Sequence, residues 1–155
     1  MIVRRPTNRE LIKCFEIGNK SKPYAVEEFP VCEITCRNSI LDLYMNSDVF
    51  MVMTIEETIV GWFSASIRKP FHYSPKSALC LSFYQTNLAG IKAVRALMYV
   101  HKYLIMRAES KRLEIVMSDS AMPTKKTFNR ILEKNGWVER NNSMFKKTKY
   151  YKEIA

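Results

Sequence analysis

The chain has 155 residues, with 25 Lys and Arg against 15 Asp and Glu for a formal charge of +10, and its composition is 47% hydrophobic and 12% aromatic. That length fits one domain over residues 1–155 with enough core to fold without a metal or disulfide staple, and the apolar content excludes wholesale disorder. No apolar run reaches the ~18 residues of a membrane span, and the start, MIVRRPTNRE, has no apolar signal region, so a cytoplasmic chain is expected.

Thr7-Asn8-Arg9-Glu10 has the T-x-x-E form of a capping box, and Leu11, Ile12, Cys14 and Phe15 follow at helical spacing. The pattern predicts a helix over 8–18, with Gly18-Asn19 as its stop. Residues 19–37, with Pro23 and Pro30, read as loop. A second helix is expected over 37–46, where Ile40, Leu41, Tyr44 and Met45 share a face. The period then changes. Val49–Ile55 and Ile59–Ile67 are β-rich runs around the polar tip Glu56-Glu57-Thr58, which predicts an antiparallel hairpin. A loop with Pro70 and Pro75 carries Phe71-His72-Tyr73, and Ser77–Gln85 is a third strand of the same sheet.

The longest helical pattern runs over 90–109, with Ile91, Val94, Leu97, Met98, His101, Leu104 and Ile105 in one stripe. Leu113–Met117 reads as a strand. Pro123 opens a helix to Asn135 with Phe128, Ile131 and Leu132 inward, and Gly136 is its stop. Trp137–Glu139 and Met144-Phe145 flank Asn141-Asn142 as a terminal hairpin. The alternation in the second half implies parallel pairing through right-handed crossovers, and the opening hairpin makes the sheet mixed.

Cys14, Cys32, Cys36 and Cys80 are too few and too scattered for a disulfide framework, and the C-x-x-x-C at 32–36 has no second pair or nearby histidine to make a metal site. The charge is uneven. Residues 1–90 hold 10 basic and 9 acidic residues, net +1, and residues 91–155 hold 15 basic and 6 acidic, net +9. The densest cluster is Lys146-Lys147-Thr148-Lys149-Tyr150-Tyr151-Lys152, in a segment (146–155) that is either part of the domain or a frayed basic tail. Such asymmetry suits a nucleic acid, a phosphorylated cofactor or an acidic protein, or is a solvated basic face. No recognisable RNA- or DNA-binding motif accompanies it.

The order of elements and the residues at their joints resemble the GNAT superfamily of N-acetyltransferases. Met1–Thr7 looks like that family's opening strand running into its first helix. Ile59-Val60-Gly61-Trp62 looks like the start of its third strand. Arg130-Ile131-Leu132-Glu133-Lys134-Asn135-Gly136-Trp137 looks like its late helix ending in Gly-aromatic. The resemblance implies an α/β fold: a mixed central sheet with helices on both faces. It also implies acetyl-CoA lying where the fourth strand splays from the fifth, its pyrophosphate held by backbone N–H groups at the start of the next helix. The matching stretch is Gln85 to Ala93, which makes Gln85, Gly90, Ile91, Lys92 and Ala93 the implied cofactor-binding residues. It has one glycine where the family pattern has two. Where many members place an acidic tyrosine, four residues before the Gly of Gly-aromatic, this chain has Leu132. The strand 77–85 carries no carboxylate, so Ser82, Tyr84 and Asp119 are the nearest polar candidates for proton transfer.

His101, on an apolar stripe, reads as a core histidine. His72 reads as a substrate contact or as local packing. Three functions follow: an acyl-CoA-dependent N-acetyltransferase acting on an amine; a catalytically inactive GNAT-like module binding a host or virion protein; and a basic nucleic-acid-binding protein. The short chain, its four glycines, its many lysines and the Arg130–Trp137 helix end are similar to phage-encoded GNAT-like proteins, which would place it in host cytoplasm or a virion.

Overall fold

A computed structural model describes residues 1–20, 32–71, 74–119, 125–140 and 143–153. Among them, seven strands and four helices follow the order β1 (Ile2–Arg4), α1 (Leu11–Lys20), α2 (Glu33–Asn46), β2 (Val49–Ile55), β3 (Thr58–Arg68), β4 (Ala78–Thr86), α3 (Gly90–Ser110), β5 (Ile115–Asp119), α4 (Lys125–Lys134), β6 (Val138–Arg140) and β7 (Ser143–Lys147). The strands form one mixed sheet in which hydrogen-bonded neighbours run β1-β2-β3-β4-β5-β7-β6. The chain divides into two compact units, Met1–Ala65 with Phe83–Ala96, and Ser66–Ser82 with Leu97–Ala155.

In the first unit the capping box forms as its sequence predicts. The Thr7 N–H donates to Glu10 Oε2 at 2.8 Å and the Glu10 N–H to Thr7 Oγ1 at 3.4 Å. Arg4 adds a two-pronged pair to the same carboxylate at 2.6 and 2.8 Å, tying β1 to the start of α1. Gly18 does not stop this helix, which runs on to Lys20. The glycine marks a close approach: a Cβ would stand 2.8 Å from Ile40 Cδ1 and 2.9 Å from Cys36 Sγ, so a larger residue here would push those side-chain ends of α2 aside. The second helix begins at Glu33, four residues before the expected 37, and among its residues only Ile40 is buried. Such weak amphipathicity gives little periodic signal for its start.

β1 pairs antiparallel with β2, and β2 with β3 from Val49↔Ala65 to Ile55↔Thr58, with a register shift at Met53/Thr54. Glu56 and Glu57 turn the hairpin at φ 47° and 64°. Phe50, Val52 and Trp62 bring the sheet's apolar side against Leu11, Cys14 and Ile17 of α1 and Ile40 of α2. Phe50 stacks on Trp62 at 5.2 Å between centroids and meets Tyr44 edge-on.

In the second unit β4 pairs parallel with β5 over Ala78↔Ile115 to Leu81↔Ser118. β7 runs antiparallel to β5 and to β6, so the parallel pairing that the alternation implies is that of β4 with β5, and the chain closes on the expected antiparallel hairpin. β5 starts at Ile115, not at Leu113, because the Leu113 and Glu114 carbonyls accept from Thr148, from its hydroxyl at 2.6 Å and its N–H at 2.9 Å. These bonds hold the segment after β7. The Lys76 ammonium pairs with Glu114 and bonds the Lys152 carbonyl, and Lys76 and Lys147 both lie over the Tyr151 ring at 4.4 and 4.2 Å. Burial along α3 sets in at Ala96 and continues through Leu97, Val100, His101, Leu104 and Ala108. Ile91, placed by its period on the buried stripe, is 67% exposed. α4 ends as the sequence indicates: Gly136 takes φ 85° and the Trp137 N–H reaches back to the Leu132 carbonyl at 3.1 Å. Pro123, His72, Tyr73 and the Asn141-Asn142 tip lie outside the described residues.

Candidate functional site at the β4–α3 joint

The joint between β4 and α3 is built in the first unit by contacts with β3. At Gly61 a Cβ would stand 2.6 Å from the Gln85 carbonyl oxygen and 3.1 Å from Thr86 Cβ, so only glycine lets β3 approach β4 this closely. The Val60 carbonyl next to it accepts two bonds, from Thr86 Oγ1 at 2.7 Å and from the Asn87 N–H at 3.0 Å. Thr86 Oγ1 in turn accepts from the Leu88 N–H at 3.1 Å. The strand end and the loop after it are thereby pinned, and the chain enters α3 at Gly90 with φ 59°. That left-handed conformation is strained for any residue with a Cβ, although a Cβ there would meet nothing within 4 Å.

This entry leaves the first N–H groups of α3, at Gly90 to Ala93, without acceptors inside the helix. Gly90, Ile91, Lys92 and Arg95 are exposed and Ala93 is half-buried. The helix end therefore has backbone donors, the positive end of a dipole and two exposed cations in its first two turns, a set suited to an anion such as a pyrophosphate. The open space at Gly90 and this donor set fit the diphosphate of a coenzyme A. Gln85, the last implied member, turns its side chain to α1, where its Oε1 would lie 3.1 Å from a Cβ on Gly18. That oxygen is buried and has no partner among the described residues.

The polar candidates divide between the units. Tyr84 is in the first unit with the joint and is 9% exposed. Ser82 and Asp119 are in the second, each one residue beyond the last β4–β5 pair, Leu81↔Ser118, and Ser82 donates to its neighbour Cys80 O at 3.4 Å. Leu132 is fully buried. His101 is core. It is 1% exposed and packs on Phe128 and Trp137 at 5.2 and 5.1 Å. Its Nδ1 lies 2.7 Å from the Leu97 carbonyl, which can only accept, so Nδ1 carries the proton and Nε2 accepts from the Ser118 hydroxyl at 2.9 Å. Burial holds this imidazole down at about 4. Among the described residues no cluster of His, Cys, Asp and Glu could hold a metal, and no helix is long and apolar enough to cross a membrane.

Thr86 and Gly61 are not among the candidates that the sequence offers for this joint. A Thr ending a strand two residues before a loop N–H is the available signal for the first, since a short hydroxyl side chain can cap a turn.

No protein-family model matches the chain, and no curated protein matches its sequence. Solved structures do match. The ribosomal-protein-alanine N-acetyltransferase from Brucella melitensis superposes with a TM-score of 0.61 at 15% identity, over 95% of this chain and 99% of its own. The aminoglycoside 6'-N-acetyltransferase from Enterococcus faecium gives 0.63 at 11% identity over 100% of both chains. A chain of the GNAT family from Desulfovibrio desulfuricans gives 0.62 at 9% identity over 96% and 98%. At these identities the likeness is one of architecture, and the architecture is the GNAT fold.

Proposed function

We propose that the chain is an acyl-CoA-dependent N-acetyltransferase that holds the pyrophosphate of acetyl-CoA at the start of α3 and acetylates an amine. The observation that carries this reading is the β4–α3 joint, pinned by Thr86 and Gly61 so that the open end of α3 offers N–H donors beside Lys92 and Arg95. The fold shared with solved N-acetyltransferases supports it. In this reading the Gly90–Ala93 N–H groups and the Lys92 ammonium hold the phosphates, and bound acetyl-CoA supplies the thioester. Fixing an amine against that thioester removes a large part of the barrier without an acid or base. Tyr84, Ser82 and Asp119 are the polar groups offered for proton transfer, with Leu132 contributing none.

The test is a thermal-shift titration with acetyl-CoA, paired with thiol release across a panel of amines. A ligand at a hundred times its Kd stabilises by about 2.7 kcal/mol. For a chain of this size that is a rise in Tm of roughly 5–10 °C. Lys92→Glu should weaken acetyl-CoA about tenfold or more. No shift at millimolar acetyl-CoA would refute the reading. One observation favours the inactive binding module instead: the buried Leu132 stands where the resemblance expects an acidic tyrosine. The absence of both a Tm rise with acetyl-CoA and thiol release, together with a protein partner recovered in a pull-down, would select that second reading.

A further inference from the structure

The four cysteines fall into two kinds. Cys14 and Cys80 are buried, and burial pushes the Cys14 thiol up to about 12. Cys32 is exposed, and Cys36 is half-buried. These two sit one helical turn apart at the start of α2. Cys32 is the residue before the helix, in extended conformation at φ −96° and ψ 125°, and its carbonyl accepts from the Cys36 N–H at 2.9 Å. The thiol of Cys32 makes no capping hydrogen bond. The neighbouring N–H groups of Thr35 and Ile34 and the Thr35 side chain pull it below its ordinary pKa. Cys36 is shifted the other way by burial, and its Sγ lies against α1, 2.9 Å from where a Cβ on Gly18 would stand. An accessible, easily ionised thiol one turn from a second, sheltered thiol is the arrangement of a peroxide-responsive pair.

We propose that Cys32 and Cys36 form an oxidation site, in which peroxide oxidises Cys32 and Cys36 then closes an intramolecular disulfide. In the first step the Cys32 sulfur attacks one oxygen of hydrogen peroxide. The O–O bond breaks, the sulfur becomes a sulfenic acid by losing two electrons, and the other oxygen leaves as hydroxide and takes up a proton to give water. In the second step the Cys36 sulfur attacks the Cys32 sulfur. The S–O bond breaks, the S–S bond forms, and the departing hydroxide leaves as a second water with the proton of the Cys36 thiol. Side chains one helical turn apart have Cβ atoms about 5–6 Å apart, and a disulfide needs about 3.5–4.5 Å. Closure therefore breaks the bond from the Cys36 N–H to the Cys32 carbonyl and unwinds the first turn of α2. Cys32 already lies outside the helix, so that turn can yield, and Cys36 is drawn off Gly18.

Peptide mapping tests this on the full chain. The protein is treated with hydrogen peroxide, unfolded with iodoacetamide present, and digested with trypsin without reduction. Residues 21–37 hold both cysteines and, with Pro after Lys22, no trypsin site between them. This peptide should appear lighter by two hydrogen atoms and unalkylated, while Cys14 and Cys80 carry the alkyl group. In Cys36→Ser a sulfenic-acid probe should label Cys32, and in Cys32→Ser it should leave Cys36 unlabelled. In the untreated native protein, Cys32 should alkylate at least about tenfold faster than Cys36. Recovery of the 21–37 peptide with both cysteines alkylated would overturn the proposal, as would disulfides only between chains or first labelling at Cys36. The wild-type map needs no variant to fold.

Discussion

At the scale of single residues, His101 makes the chain's stability depend on pH. Its imidazole is held near 4 by burial, against 6.5 in an exposed chain, even though its bond to Leu97 favours the proton. Between those values the unfolded chain binds a proton that the folded one refuses, so stability is full above pH 6.5 and falls as the pH drops toward 4. The whole shift corresponds to about 3 kcal/mol. Urea midpoints should therefore fall steadily from pH 7 to pH 5, a window above most of the titration of Glu10, whose carboxyl the Arg4 pair holds at about 2. His101→Gln should be less stable at pH 7 but flatter over that window, and an equal slope in both proteins would show that another group sets it. Gly61 gives the second prediction. A methyl there presses on the Gln85 carbonyl, which is backbone and cannot rotate away. Gly61→Ala should lose about 2 kcal/mol in denaturant unfolding, and with the β4–α3 joint displaced it should also lose the Tm rise with acetyl-CoA.

At the scale of elements, what the sequence discloses depends on how much of the signal is local. The β2–β3 hairpin is legible almost to the residue because β-rich runs and a polar tip are adjacent in the chain. The Thr7–Glu10 box is legible for the same reason. Gly18 reads as a helix stop because the reason for it is α2, a contact that its neighbours in sequence do not announce. The site divides in the same way: Gly90 and Lys92 can be placed at a helix start from local pattern, while the pinning of that start by Val60 and Gly61 is a cross-strand matter. The hairpin tip carries a local conflict. Glu56 and Glu57 both adopt the left-handed conformation, which a two-residue hairpin turn demands and Asn-Gly satisfies best. Each left-handed residue with a Cβ costs about 1–2 kcal/mol. Replacing the pair by Asn-Gly should stabilise by about 1 kcal/mol, because glycine's freedom in the unfolded chain and the loss of Glu57's pull on Arg4 offset part of the gain. A higher urea midpoint with an unchanged slope would confirm this, and an unchanged midpoint would mean the turn carries no strain.

For the molecule as a whole the governing quantity is its charge of +10, of which residues 91–155 carry +9. Some of those cations are engaged: Lys147 pairs with Glu153 and lies over Tyr151. Exposed pairs of this kind are worth little each, about 0–1 kcal/mol, and they leave a surplus of like charge that folding compresses. Such repulsion acts over the Debye length, which falls from about 30 Å at 10 mM salt to about 8 Å at 150 mM. Added salt weakens both the repulsion and the surface pairs, and with ten cations in excess the repulsion outweighs the pairs. Tm should therefore rise by a few degrees between 10 and 150 mM sodium chloride, a gain on the order of 1 kcal/mol. A fall in Tm would mean that ion pairs such as Lys76–Glu114, sheltered beneath Tyr151, outweigh the surplus. If anions instead act at the start of α3, sulfate at equal ionic strength should raise Tm beyond chloride, and Lys92→Glu should abolish that extra rise while leaving the chloride response in place.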